Sequence, residues 1–180
     1  SSCMKFGLAS AMVKNQNIDA LKQSLTRCKT DEIDKIITSF QTDPGLPSLS
    51  KHMKSIIYIF GGQETPEGMQ KRAQYLLRSQ PNDTFLKQIV NAFAEGCPFS
   101  IKLFWRMLQV ADSITTADAS ISLDYRLASR MIRRPDFVEG VRALLVDKDR
   151  SPKWSPNQLD LVNNDLLEEV FNEDGLPPLR

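Results

Sequence analysis

The hydrophobic residues of this 180-residue chain recur at helical spacing along almost its whole length. An apolar residue every three or four positions marks one face of an α-helix, whereas a half-buried strand alternates strictly. Ile33, Ile36, Ile37 and Phe40 form a full i, i+3, i+4, i+7 stripe. Later stripes comprise Ile101, Phe104, Trp105 and Leu108; Ile121, Tyr125, Ala128 and Ile132; and Phe137, Val141, Leu144 and Leu145. The pattern predicts an all-α fold of about nine short helices in one compact domain.

Helix-start motifs occur at several stripe boundaries. Thr65-Pro66 and Ser155-Pro156 each join a hydroxyl residue suited to the N-cap with a proline suited to the first helical position. Asp136 and Glu139 have the spacing of a capping box. Residues 43–50 are rich in proline, glycine and serine, so we expect the longest loop there, and a sub-boundary if the helical region divides.

Composition excludes several classes of function. The formal charge of +1 gives no strong overall attraction to nucleic acid. Three scattered cysteines and one histidine do not supply the four clustered ligands of a structural zinc site, so we expect no metal and reduced thiols. No apolar run approaches the ~18 residues of a membrane span. The first residues have no leader-like pattern, so a targeting segment is either removed or never existed.

The usual catalytic motifs are also absent from the sequence. Gly61-Gly62 follows a helical stripe and lacks the phosphate-loop frame, which favours a helix end. His52, the one histidine, is predicted on the exposed side of its helix, which disfavours a Ser-His-Asp arrangement. Glu139, Asp147 and Asp149 could form an acid/base pair. Their closeness to Arg142 and Arg150 favours salt bridges and a structural role instead.

The strongest basic run lies on one predicted helix. Arg126, Arg130 and Arg133 share a face at i, i+4 and i+7, and Arg134 follows directly. A solvated face paired with acids is the simplest interpretation. Binding of phosphate, from a nucleotide-bearing cofactor or from RNA, is the alternative. The acidic residues Glu168, Glu169, Glu173 and Asp174 are interpreted as a solvated helix end, and Trp105 and Trp154 as packing residues.

The stretch SLDYRLASRMIRRPDFVEGVRALLVDKDRSPKW, residues 122–154, resembles the C-terminal signature of 3-hydroxyisobutyryl-CoA hydrolases, members of the crotonase (enoyl-CoA hydratase/isomerase) superfamily. The matching positions are Asp124, Tyr125, Arg126, Leu127, Asp136, Phe137, Glu139, Gly140, Val141, Arg142, Ala143, Leu145, Asp147, Lys148, Asp149, Pro152 and Trp154. GLASAMV, residues 7–13, is similar to the family's G-L-A-T-H segment, with Ala11 where histidine is usual. The resemblance implies that residues 1–16 end the crotonase core and that residues 17–180 form its C-terminal helical domain.

In that family the catalytic acids and the oxyanion-binding amides lie in the β-β-α core, which would precede Gly7. We therefore carry over no catalytic residue and interpret Asp136, Glu139, Gly140, Arg142, Asp147, Lys148, Asp149 and Trp154 as structural. Alone, the chain should be inactive. With a crotonase core supplied by another segment or chain, the resemblance implies hydrolysis of an acyl-CoA thioester in mitochondrial valine catabolism. No cofactor is expected beyond the coenzyme A moiety of the substrate.

Two other functions remain open at this stage. Because relatives of this hydrolase family occur in the small subunit of some mitochondrial ribosomes, a non-catalytic ribosomal subunit contacting ribosomal proteins and rRNA is one alternative. A helical adaptor is the other. A helical part separated from its core should expose an apolar face, so we expect the isolated chain to self-associate.

Overall fold

A computed structural model of the protein describes residues 2–62 and 65–171. Ten α-helices lie in this part of the chain, in the order α1 Ser2–Lys5, α2 Ile18–Arg27, α3 Ile33–Phe40, α4 Met53–Phe60, α5 Pro66–Ser79, α6 Thr84–Glu95, α7 Pro98–Ala111, α8 Ala117–Met131, α9 Pro135–Val141 and α10 Asn164–Phe171. A π-helix, Arg142–Val146, continues α9. The described residues contain no named strand, only one isolated bridge between Val13 and Gln41. The all-α prediction is confirmed.

The chain divides into two compact units, residues 1–57 and 58–180, whereas the sequence predicted one compact domain. The division falls inside α4. The boundaries expected at residue 16 and at 43–50 stay predictions. Across the described residues, no helix combines the length and hydrophobicity that crossing a membrane demands.

The first unit consists of short amphipathic helices with little interior. Helices α2 and α3 pack against each other, and the Val13–Gln41 bridge ties the segments that flank them. None of the described residues 2–57 is fully buried, although α3 carries the complete apolar stripe noted above.

The second unit contains two hydrophobic clusters. Ile59, Met69, Ala73 and Leu86 form the first, where α5 packs against α6. The Thr65 hydroxyl caps α5 by accepting the Gly68 N–H, and Pro66 occupies the first turn, as predicted. The Asp83 carboxylate caps α6 by accepting the amides of Phe85 and Leu86. These caps satisfy amides that have no partner inside their own helix.

The second cluster joins α7, α8 and α10 with the 3₁₀ turn Leu159–Leu161. Its buried members are Phe99, Leu103, Leu127, Val162, Leu167 and Val170. The Lys102 ammonium spans the elements around this cluster, contacting Glu67 at 2.6 Å and donating to the Val162 carbonyl at 3.0 Å. Burial is the largest single influence on the pKa of Glu67 and would raise it, but the hydrogen bond and charge of Lys102, together with hydrogen bonds from the Glu67 amide and Thr65, lower the pKa overall.

The predicted helix faces are wrong on α7 and α8. Phe99 and Leu103 are buried on α7, whereas Phe104 and Leu108 of the predicted stripe are at least half exposed. Leu127 is buried on α8, whereas Ile121 and Ile132 are exposed. The predicted stripes are therefore only partly covered: Ile101, Trp105 and Tyr125 are half-buried, and Trp105 packs against the first hydrophobic cluster.

Two predicted helix starts are also wrong. Arg134 occupies the N-cap of α9 without a side-chain bond, and Asp136 is the second residue of the helix, in its first turn, and is buried. Ser155-Pro156 begins no helix, because residues 147–158 form a loop and the next turn begins at Leu159. One tertiary hydrogen bond joins the two sites, because the Asp136 carboxylate that local spacing had assigned to a cap accepts the Ser155 backbone N–H instead.

Candidate functional site

An open apolar cleft lies beside α9 and the π-helix that follows it. It has a volume of about 750 Å³. Its walls include Cys97 from the start of α7, Met131 from the end of α8, and Phe137, Leu144 and Leu145. Leu144, Leu145 and Val146 are 59%, 62% and 69% exposed, although the sequence predicted Leu144 and Leu145 in a core. Leu144, Leu145 and Val146 thus form three consecutive exposed aliphatic side chains, whereas isolated exposed apolar residues are the norm on protein surfaces.

The loop beside this cleft is held by one guanidinium. Arg142 makes a paired interaction with Glu139, with Nε and one terminal nitrogen 2.9 and 2.8 Å from the carboxylate oxygens. Its other terminal nitrogen lies 2.6 Å from both Asp147 and Asp149. The Ser151 carbonyl also accepts from Arg142, at 3.2 Å. We call Glu139, Arg142, Asp147 and Asp149 the Arg142 cluster.

Backbone amides complete the Arg142 cluster. The Lys153 N–H donates to Glu139 at 2.7 Å, and the Ser151 N–H donates to Asp149 at 2.8 Å. The hydrogen bond from Arg142, aided by that of Lys153, lowers the pKa of Glu139 to about 2. The same guanidinium, with the Ser151 amide, lowers the pKa of Asp149. Three carboxylates in turn raise the pKa of Arg142, so Glu139, Arg142 and Asp149 stay ionised at neutral pH and none of these three is poised for proton transfer.

Backbone strain is concentrated in the same loop. Lys148 and Arg150 have φ values of 56° and 52°, in the left-handed region that glycine and asparagine adopt readily. Each such residue costs roughly 1–2 kcal/mol when it carries a longer side chain. The Arg150 N–H donates to the Ala143 carbonyl at 3.0 Å, which fixes the loop against the π-helix. The described part of the chain provides no ion pair for Lys148 or Arg150, and both are exposed.

A second set of contacts ties the far end of this loop to the helices. Asp136, only 4% exposed, accepts the Ser155 N–H at 2.8 Å and lies 3.4 Å from Arg134. The Trp154 indole N–H donates to the Glu95 carbonyl at 2.9 Å. A β-carbon at Gly140 would lie 3.3 Å from the Trp154 ring, so glycine admits the indole here.

The four arginines proposed for phosphate or RNA binding are not gathered on one open face. Arg126 donates to the Phe171 carbonyl at 3.0 Å. The Arg134 guanidinium stacks 3.5 Å from the Phe99 ring centre and contacts Asp136. Arg130 is half-buried, and only Arg133 is exposed. Binding of phosphate or RNA by the set stays a prediction.

Other candidate chemistry is sparse in the part of the chain that the structure describes. These residues contain no group of three or more His, Cys, Asp or Glu side chains that could hold a metal ion. Cys3, Cys28 and Cys97 are unpaired thiols. Glu168 forms an ion pair with Arg106 rather than standing alone on a solvated end, while Glu173 and Asp174 lie outside the described residues.

Comparison with known proteins agrees with this helical architecture. The family model described as enoyl-CoA hydratase/isomerase matches residues 1–171. The chain belongs to this family. Among relatives, the mitochondrial 3-hydroxyisobutyryl-CoA hydrolase of Dictyostelium discoideum is 26% identical, with 92% of this chain and 43% of that protein covered. The Homo sapiens protein of the same name is 27% identical, with 97% and 45% covered.

Solved structures give the same fold. A carnitinyl-CoA dehydratase from Mycobacterium thermoresistibile superposes with a TM-score of 0.77 at 19% identity, covering 97% of this chain and 47% of that one. An enoyl-CoA hydratase from Rhodobacter sphaeroides superposes with a TM-score of 0.64 at 21% identity, covering 81% and 42%. The chain thus spans about half the length of the enoyl-CoA hydratase/isomerase family members it matches.

Sequence reasoning identified the members of the Arg142 cluster but missed the cleft beside them. The helical spacing predicted that Leu144 and Leu145 are buried. Spacing identifies an apolar helix face, but it does not show whether another part of the chain covers that face. One signal was available: residues 143–146, ALLV, are four consecutive apolar residues, more than one buried helix face can use.

Proposed function

We propose that this chain is the helical part of an enzyme of the 3-hydroxyisobutyryl-CoA hydrolase type and that it acts by docking on a crotonase core. The observation that carries the proposal is the exposed apolar surface of α9 and the π-helix, in a chain that aligns with relatives over about half their length. In the described residues, the carboxylates closest to the cleft loop are locked on Arg142. We therefore assign the reacting groups to the crotonase core.

The cleft also suits one end of an acyl-CoA. Its aliphatic walls, Leu144 and Leu145 among them, match the apolar parts of such a ligand. Arg150 lines the cleft, and Lys148 precedes it by two residues in the same loop. Cations beside an apolar wall favour a ligand that joins a phosphate group to an apolar body. We therefore place the cleft at the boundary between the core and bound acyl-CoA, within an assembly whose location, by analogy with the relatives named above, is mitochondrial.

The test is reconstitution. The part of the Homo sapiens hydrolase that this chain does not match would be coexpressed with the chain, and hydrolysis of 3-hydroxyisobutyryl-CoA would be followed by thiol release. We expect the pair to hydrolyse the thioester and the chain alone to release no thiol above background. Activity of the chain alone, or a pair no more active than the core by itself, would contradict the proposal.

The ribosomal and adaptor hypotheses predict different outcomes. A ribosomal subunit should copurify with rRNA at moderate salt, and neutralising Arg130 and Arg133 should remove the RNA. An adaptor should bind neither a crotonase core nor RNA. The internal contacts of Arg126 and Arg134 leave less open basic surface than the sequence suggested, so the docking proposal is favoured over the ribosomal one.

A further inference from the structure

The loop at residues 147–151 alternates acids with bases. Asp147 and Asp149 contact Arg142, while Lys148 and Arg150 lie between and after them with no ion pair in the described part of the chain. Both basic residues adopt positive φ, a conformation that glycine would adopt without strain. A loop that served only to close α9 would gain stability from glycine at either position. Lys148 and Arg150 therefore hold a backbone conformation that long side chains disfavour, and such residues cluster at functional sites.

Arg142 is the group that keeps this loop in place. Its guanidinium contacts Glu139 on α9, Asp147 and Asp149 in the loop, and the Ser151 carbonyl beyond it. Lysine could neutralise these acids, but it lacks the planar fork that contacts several acceptors in fixed directions. Losing the fork releases Asp147 and Asp149 from Arg142 and so loosens the loop, while leaving Lys148 and Arg150 themselves unchanged.

We infer that Arg142 is a positioning residue, which holds the strained loop so that Lys148 and Arg150 meet the phosphates of a coenzyme A ester. The inference rests on the proposed function for the class of ligand, and it concerns how the chain presents its cations rather than whether a thioester is hydrolysed. Arg142 itself is saturated by carboxylates and does not contact the ligand.

The experiment compares two ligands that differ in their phosphates. Coenzyme A and pantetheine, which lacks the phosphates and the nucleotide, would be titrated calorimetrically into the full chain and its variants. Arg142→Lys should weaken coenzyme A about tenfold and change pantetheine affinity less than twofold. Arg106→Lys makes the same change at another Arg–Glu pair and should alter neither affinity. A purely structural role would weaken both ligands equally under Arg142→Lys and would overturn the inference.

A second variant guards against a folding defect. Lys148→Gln with Arg150→Gln leaves the Arg142 cluster intact and should reproduce the selective loss of coenzyme A affinity. Unchanged coenzyme A binding in this variant, or no binding by the unaltered chain, would overturn the inference.

Hydrolysis by the reconstituted pair is scored separately. If the pair is inactive but the coenzyme A affinity of the chain still depends on Arg142, only the proposed function is contradicted. If the pair is active but its coenzyme A affinity does not depend on Arg142, only the inference about Arg142 is contradicted.

Discussion

At the scale of single residues, the chemistry beside the cleft is governed by Arg142 and the acids that surround it. Its hydrogen bonds lower the pKa of Glu139 and Asp149, so these carboxylates are fixed as anions rather than tuned for proton transfer. Density of charge in a sequence therefore says little about catalysis until the partners of each charge are known.

Glu139 makes the stability of the protein depend on acid pH. Its folded-state pKa of about 2 lies below its ordinary value of 4.5, so the stabilisation is complete above pH 4.5 and is lost as pH falls toward 2. Urea unfolding between pH 5 and pH 2.5 should show this decline. Glu139→Gln should flatten the decline, and an equally steep decline in that variant would show that other acids dominate.

Because the backbone at Lys148 is strained, replacing this residue by glycine should raise the free energy of unfolding, whereas most substitutions lower it. Lys148→Gly relieves left-handed strain of roughly 1–2 kcal/mol in the folded state. The greater freedom of glycine stabilises the unfolded state by about 0.5–1 kcal/mol, which offsets part of that gain. We expect a net gain of about 0.5–1 kcal/mol in the free energy of unfolding. Lys71→Gly, within α5, is the matched control and should lose about 1 kcal/mol. A destabilised Lys148→Gly protein would mean that the side chain makes a stabilising contact.

At the scale of helices, α7 and α8 each carry an apolar face that packs inside the second unit and another that does not. Their helical type could be predicted from the sequence because 3.6-residue periodicity depends only on local spacing. The choice between faces could not, because it depends on what α10 and the Leu159–Leu161 turn cover. The Thr65 cap could be predicted because it joins residues three apart in the sequence. The hydrogen bond from Ser155 to Asp136 could not, because it joins residues 19 apart and depends on the tertiary fold.

Neighbouring residues on α7 test which face is structural. Leu103 is 5% exposed, so Leu103→Ala should cost about 2–5 kcal/mol of unfolding free energy. Phe104 is 60% exposed, so Phe104→Ala should change that quantity by no more than about 0.5 kcal/mol. Chemical denaturation of both variants measures the difference. Equal losses would mean that the exposed face is covered within the chain itself.

At the scale of the whole molecule, the exposed apolar surface explains both the predicted docking and the predicted behaviour of the chain alone. Without a partner, aliphatic side chains such as Leu145 and Val146 should drive self-association. Sedimentation velocity should show concentration-dependent oligomers, and Leu145→Asp should shift them toward monomer. A monodisperse, cooperatively melting monomer at all concentrations would contradict this expectation.

The most direct test of the account is the dissociation constant between this chain and the crotonase core, measured by analytical ultracentrifugation for three proteins. Leu145→Asp places a charge on the proposed docking surface, whereas Leu161→Asp places the same charge on a leucine that is similarly exposed in the same unit, at 56%. We predict that the unaltered chain and Leu161→Asp bind the core equally and that Leu145→Asp binds at least tenfold more weakly. Equal binding by all three proteins, or no binding by the unaltered chain, would contradict the account.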